Sequence, residues 1–199
     1  MTRLRTAAIV LAAGKASRMG ANKLLFTVGD KVVLVKLLDV LIKSVDEVVV
    51  VTGYDPEPIA TMAQINGARV IHNPDHEKGM TTSFQAGLRV TEDTDAFFLV
   101  LGDQLGLKPD LIRKMKAVME DTPSALIVSP VYLCKRGHPV LFRATLRQEI
   151  QALSHAESLK DVVERHAISH VYVEGDEWNT IDFDTPGDFE RAKKLFEKG

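Results

Sequence analysis

Cysteine is nearly missing: Cys134 is the single one in 199 residues. That excludes a disulfide framework and a thiolate metal cluster, and it fits a reducing cytoplasm. Charge of one sign is missing too. The chain carries 25 Lys and Arg against 27 Asp and Glu, a formal net charge of −2. No long-range field therefore draws it to nucleic acid or to a membrane surface, and any anion site must be local. No apolar stretch approaches the roughly 20 residues that span a bilayer. Internal repeats and low-complexity segments are absent. So are the two common phosphate fingerprints, Gly-x-Gly-x-x-Gly and Gly-x-x-x-x-Gly-Lys-[Ser/Thr].

What is present is an ordinary globular composition, 45% hydrophobic and 26% charged, in a chain long enough to bury a full core. Short β-branched runs recur at Ile9–Leu11, Val48–Val51, Arg69–Ile71, Phe97–Leu101, Leu126–Val128 and Ile168–Val173. Helical spacing appears at Val33–Lys43, where Leu34, Leu37, Leu38, Leu41 and Ile42 share a face. Thr81–Val90, Asp110–Glu120, Ser158–His166 and Pro186–Glu197 also read as helices. Strands alternating with helices predict an α/β fold with a mainly parallel sheet, and residues 1–199 read as one domain. Arg3 and Arg5 before Ala7–Ala13 imitate a secretory leader, but the cation-bearing loop that follows favours a first strand. Ser129–Phe142 reads as a hairpin or irregular excursion on the functional face. Ligands of open parallel sheets bind at the carboxyl ends of strands, so the loops after Leu11, Ile71 and Leu101 should line one cleft.

Three segments carry chemistry. After the first strand, Leu11–Lys23 combines small residues with Lys15, Arg18 and Lys23. Small residues let backbone amides approach an anion, and cations neutralise it, so a polyphosphate is the natural ligand. Ser17 and the amides near Gly14 can donate to phosphate oxygens, while Arg18 and Lys23 can hold charge growing on a leaving pyrophosphate. A plain surface loop with solvated cations would look much the same. Gly102-Asp103-Gln104 closes a strongly apolar strand, a good place for a magnesium-binding carboxylate or for a simple turn. In Ile181–Asp188, Thr185, Pro186 and Asp188 account for a helix start. Asp182 and Asp184 are surplus to it and lie on one side of an extended segment, where one could complete a metal site. His72-Asn-Pro74 and Gly79–Ser83 suit a turn and a helix start, or a ribose and base contact. Lys135–Pro139 is either a basic hairpin turn or a clamp for a second anion. Pro74 between His72 and His76 spoils a zinc pair. His155, His166 and His170 read as surface or packing residues.

The ensemble resembles the nucleotidyltransferases that finish molybdenum cofactors, and within them the cytidylyltransferase branch. The likeness rests on Leu11-Ala-Ala-Gly14, Ser17-Arg-Met-Gly20, Lys23-Leu-Leu25, Asp46–Gly53, Asn73-Pro74, Gly79-Met80, Ser83, Gly102-Asp-Gln104, Arg136–Phe142 and Ile181–Pro186. It runs from about Ala7 to about Ala192. It implies a glycosyltransferase-A-like α/β fold and a magnesium-dependent transfer of CMP from CTP to the phosphate of the molybdopterin cofactor, with release of pyrophosphate. By position it implies that Ala12, Ala13, Gly14, Ser17, Arg18 and Lys23 bind triphosphate, with Lys23, Arg18 and Asp103 carrying the catalysis. Gly102 would line the cofactor-binding site, and Asp103 would bind magnesium together with Asp182 or Asp184. Asn73, Gly79 and Ser83 would face the nucleoside; Arg136, Gly137, His138 and Pro139 would face the cofactor. Guanylyl-transferring relatives usually carry Leu-Ala-Gly-Gly and Asn-x-Asn, so Leu11-Ala-Ala-Gly14 and Asp182-Phe-Asp184 favour CTP. The resemblance also implies a molybdoenzyme or its maturation chaperone as recipient of the product. Leu105 and Val32 stand where the family commonly has proline. Guanylyl transfer, another phosphorylated acceptor such as a sugar phosphate, and a non-catalytic cofactor carrier are the competing readings.

Overall fold

The structure is a computed structural model. It describes residues 3–14, 22–91, 93–181 and 185–196, apart from the side chain of Pro186. Strands β1 (Thr6–Ala12), β4 (Glu47–Thr52), β5 (Arg69–His72), β6 (Ala96–Leu101), β7 (Ile127–Tyr132), β9 (Val140–Arg143) and β10 (His170–Glu174) form one sheet in the order β10-β7-β9-β6-β1-β4-β5. A short β8 (Lys135–Arg136) pairs with β7, and β2 (Thr27–Val28) with β3 (Lys31–Val32) makes a separate hairpin. The helices are α1 (Val33–Leu41), α2 (Pro56–Ile65), α3 (Met80–Leu88), α4 (Pro109–Asp121), α5 (Arg147–Gln151), α6 (Leu159–Arg165) and α7 (Pro186–Phe196).

β1 lies at the centre, parallel to β4 on one side and β6 on the other. Its residues Ala7–Val10 are wholly buried because both faces are covered. Ala8, Val10 and Ala12 pack with Leu34, Leu38, Ile112 and Met115 of α1 and α4. Ile9 points the other way, into a cluster with Phe84 and Leu88 of α3, Phe97, Phe142 and Ile150. Gly87 lets α3 approach this closely, since a Cβ there would stand 2.3 Å from Cγ2 of Ile9. The mainly parallel α/β expectation is met, with helices on both faces of a mixed sheet.

Four local features differ from expectation. The segment after Ser129 does make a hairpin, β7 with β8, but it does not stay an excursion: β9 then enters the main sheet between β6 and β7, antiparallel to both. Its alternation was hidden because Val140-Leu141-Phe142 is buried on both faces. The two-residue turn sits at Leu133 and Cys134, at φ of 46° and 64°, so Lys135 and Arg136 are strand residues rather than the turn itself. Ile42 lies past the end of α1 and is exposed. α2 was not foreseen, because two prolines open it and only Ile59 and Ala63 are buried.

A third apolar cluster, Val28, Val33, Leu105, Phe189 and Ala192, docks α7 beside the β2–β3 hairpin. Leu105 is 1% exposed. It is an apolar anchor that ties the Asp103 turn to α7 by packing. Thr185 and Asp188 start α7 reciprocally: the Thr185 amide donates to the Asp188 carboxylate and the Asp188 amide to Thr185 Oγ1, each at 3.2 Å. No helix among the described residues is long and apolar enough to cross a membrane.

Candidate active site

Because β1, β4, β5 and β6 run parallel, their carboxyl ends form one edge. The loops after Leu11, Ile71 and Leu101 meet there, as the sequence predicts. Ala12 and Ala13 are buried, and Gly14 is exposed with nothing within 4 Å of where a Cβ would stand. The loop after β4 joins them: the amide of Tyr54 donates to the carbonyl of Ala13 at 3.4 Å. A Cβ on Gly53 would meet that carbonyl at 2.8 Å and His76 at 2.6 Å. Lys15, Ser17, Arg18, Asp182 and Asp184 lie outside the described residues.

Lys23 and Asp103 meet across the cleft, Nζ to Oδ2 at 2.5 Å, each about a quarter exposed. Both are held from below. Lys23 opens a 3-10 turn whose N-cap Asn22 accepts from the Leu24 amide at 3.1 Å, and Leu24 is buried in the core. Gly102 donates its amide to the Leu11 carbonyl at 3.0 Å. A Cβ on Gly102 would stand 2.8 Å from that same carbonyl, so only glycine lets the Asp103 turn lie against β1.

Asp103 offers a hard oxygen donor. Magnesium typically takes one or two carboxylates and completes its shell with substrate phosphates and water. One carboxylate at the end of β6 fits such an ion, and Lys23 Nζ is its partner in this structure. Among the described residues no group of three metal-ligating side chains is assembled.

At the β5 end, Asn73 and Ser83 come together but are 4% and 3% exposed. The Asn73 amide donates to Thr82 Oγ1 and Ser83 Oγ at 3.0 Å each, while its carbonyl oxygen accepts from the Asp75 amide at 3.0 Å. These contacts shape the turn into α3. Gly79, at φ 111°, caps α3 without a side chain, so its first-turn amides lack a side-chain cap and are a kind of donor that a ligand can use.

On the other flank Gln104 Nε2 donates to the His138 carbonyl at 2.5 Å. The His138 amide donates to the Asn179 carbonyl at 2.9 Å and the Gly137 amide to the Pro130 carbonyl at 2.9 Å. The segment Arg136–Pro139 is thus fastened to the Asp103 turn. Gln104 and Asn179 do the fastening, and the sequence reading singled out neither for that task. Asn179 is buried, and its side-chain oxygen accepts from the Asp176 amide at 2.8 Å. An asparagine in a segment without periodicity carries no signal of a partner as distant in sequence as His138.

Of the histidines, His166 bonds Glu149 at 2.6 Å, a packing role. His170 is buried, with Nε2 2.7 Å from Ser129 Oγ. Burial first, and then the nearby Arg136 charge, lower its pKa from 6.5 to about 4. The unfolded chain therefore takes up this proton near pH 6.5 and the folded chain only near 4. Its contribution to stability is complete above pH 6.5 and is lost as pH falls towards 4, on the order of 3 kcal/mol in all. Urea unfolding at pH 7 and pH 4.5 should show His170→Gln losing about 2 kcal/mol less than the wild type over that interval. Parallel losses would place the acid sensitivity elsewhere.

A mixed, mainly parallel sheet whose central strand runs into Ala12-Ala13-Gly14, with a lysine-paired aspartate at the end of neighbouring β6, is an arrangement suited to a nucleotidyltransferase. The chain belongs to the family of the MobA-like NTP transferase domain, whose model matches residues 8–171. It is 28% identical over 190 residues to the molybdenum cofactor cytidylyltransferase of Escherichia coli strain K12, covering 94% of this chain and 95% of that protein. Among solved structures it is similar to Rv0371c from Mycobacterium tuberculosis H37Rv, with a TM-score of 0.82 and 28% identity over 98% of this chain and 100% of that one. A manganese complex of Rv0371C from the same organism matches with a TM-score of 0.77 and 26% identity over 96% and 98% of the two chains.

Proposed function

We propose that the chain is a magnesium-dependent cytidylyltransferase that moves CMP from CTP to the phosphate of molybdopterin or the finished molybdenum cofactor. The whole chain would act as one transferase domain in the cytoplasm, handing its product to a molybdoenzyme or its maturation chaperone. The observation that carries this reading is the Lys23–Asp103 pair, set between the β1 loop and the Arg136–Pro139 segment through the Gln104–His138 bond. The cytidylyltransferase relative and the manganese-bound neighbour support the choice of reaction and of a divalent ion. Leu11-Ala-Ala-Gly14 supports CTP over GTP.

In this reading Ala12–Gly14, with Ser17 and Arg18, cradle the triphosphate, and the α3 end near Gly79 faces the nucleoside. Asn73 and Ser83 set the shape of that end from beneath. Asp103, with Asp182 or Asp184, would hold magnesium, which when bound neutralises triphosphate charge. An oxygen of the acceptor phosphate forms the new bond to the α-phosphorus, and the bond from that phosphorus to the bridging oxygen of the β-phosphate breaks. Pyrophosphate leaves with the electron pair. The attacking oxygen is already ionised, so no residue need take a proton, and alignment with charge neutralisation supplies most of the rate. Lys23 exchanges its carboxylate partner for the departing pyrophosphate.

Incubation with molybdenum cofactor, magnesium and CTP, GTP or ATP tests this directly. Pyrophosphate should be released with CTP. Release with GTP alone would reassign the nucleotide, release only with a sugar phosphate as acceptor would reassign the acceptor, and binding without release would favour a carrier. Lys23→Ala should lower kcat/KM for CTP about 100-fold, the scale of one charge-stabilising donor; unaltered CTP kinetics would contradict the role of Lys23.

A further inference from the structure

We propose that Tyr172 and Arg136 form the platform on which the ring system of the acceptor lies, an inference that rests on the proposed transferase reading. The acceptor class is a fused, pterin-type heterocycle carrying a phosphate.

Strand register puts these residues on one face. Tyr172 stands opposite Ser129 in the β10–β7 pair, and Arg136 opposite Val131 in the β8–β7 pair. Ser129 and Val131 are two apart on β7, so both partners and His170 share their side of the sheet. Deeper on that side, Ile127 and Phe142 are covered by Ile150 of α5 and Leu159 and Val162 of α6. Towards the carboxyl edge the cover stops: Tyr172 is 49% exposed, and Arg136 is exposed.

The uncovered patch is backed by a buried polar pair. The His170 ring lies 4.3 Å from that of Tyr172, centroid to centroid, and His170 is itself anchored on Ser129 at 2.7 Å. Ser129 and His170 are 1% and 7% exposed. A tyrosine braced from below loses little freedom when a ring stacks on it. Arg136 is close enough to bear on His170 electrostatically, yet it makes no ion pair or hydrogen bond with the described residues. An exposed aromatic ring on β10 and an exposed guanidinium across β7, on one face of the sheet, suit a planar anion long enough to span β7.

The patch also continues the cleft. α3, whose first turn faces the nucleoside end, packs on the same side of the sheet through Phe84 and Leu88. Across the strand order the two ends flank β6 and Asp103, and the Gln104–His138 bond joins Asp103's turn to Arg136's segment. A nucleotide over β4 and β5 and a heterocycle over β7 and β10 would bring their phosphates together at β6.

The full chain carrying Tyr172→Ala or Tyr172→Phe tests the platform through two readouts. Steady-state kinetics with molybdenum cofactor and CTP should show KM for the cofactor raised about tenfold in Tyr172→Ala, the scale of one lost stacking contact. KM for CTP should stay within about twofold, and Tyr172→Phe should match the wild type, since a phenyl ring stacks as well. In a titration with the fluorescent probe 6-carboxypterin, the wild type and Tyr172→Phe should quench its emission and Tyr172→Ala should not. A cofactor KM unchanged in a Tyr172→Ala protein that still turns over would overturn the platform while leaving the transferase reading intact. A wild type that binds the probe through Tyr172 but transfers no nucleotide would leave the platform and overturn the transferase reading. Quenching equal in all three proteins would overturn the platform whatever the turnover.

Discussion

Asp103→Asn should cost about 1,000-fold in turnover, the scale of removing a principal charge-organising group from a transfer site, yet leave the melting temperature within about 2 °C. The two halves of that expectation come from one geometry. Asp103 meets Lys23 at 2.5 Å with both side chains about a quarter exposed. A pair that reaches water is worth roughly 0 to 1 kcal/mol to the fold, because water solvates whichever partner is left. The backbone that positions residue 103 is fixed by the Gly102–Leu11 bond and by buried Leu105, neither of which needs the carboxylate. Asparagine preserves the shape and removes the charge that would hold a divalent ion. Pyrophosphate release and a thermal melt on the same preparation check both halves. Wild-type turnover would take Asp103 out of the metal site, and a large loss of melting temperature would make it a structural residue.

Gly137→Ala should do nearly the reverse at the other flank. A Cβ at this position would stand 2.2 Å from the Asn179 carbonyl oxygen and 2.7 Å from its carbon. These are backbone atoms, and the same carbonyl accepts the His138 amide at 2.9 Å. The Asn179 turn cannot yield without releasing that bond, so the Arg136–Pro139 segment must move away from it. Overpacking of this kind costs about 1–3 kcal/mol, which for a chain of this length lowers the melting temperature by roughly 2–12 °C. Use of the acceptor should suffer more than use of CTP, since the β1 loop lies across the sheet. A melting temperature and an acceptor KM both equal to wild type would show that the contact relaxes freely and that the segment does not need its clamp.

Most of the scaffold was legible because it is written in local periods. The apolar run from Ala7 to Val10 announces a strand covered on both faces, and Leu34, Leu37, Leu38 and Leu41 announce a helix with one buried stripe. The start of α7 could be assigned from Thr185, Pro186 and Asp188 alone, because a capping box acts within one turn. β9 escaped this logic: three successive buried residues, Val140, Leu141 and Phe142, show no alternation, and only the sheet order reveals that they separate β6 from β7. Asn73 and Ser83 were readable as a site but not as a scaffold, since their bonds to each other are made by the turn they create.

The chain by itself determined the α/β alternation, the cation-rich stretch of sequence that follows β1 and the carboxylate at the end of β6, for these depend on residue type and near neighbours. Only the tertiary structure decided that Lys23 reaches Asp103, that Gln104 fastens His138, and that exposed Tyr172 and Arg136 share one side of the sheet with the buried Ser129–His170 pair. The physical reason is range. Periodicity and capping act over one to four residues, whereas a salt bridge 80 positions apart or a register across three strands exists only after the core has packed and brought those strands side by side.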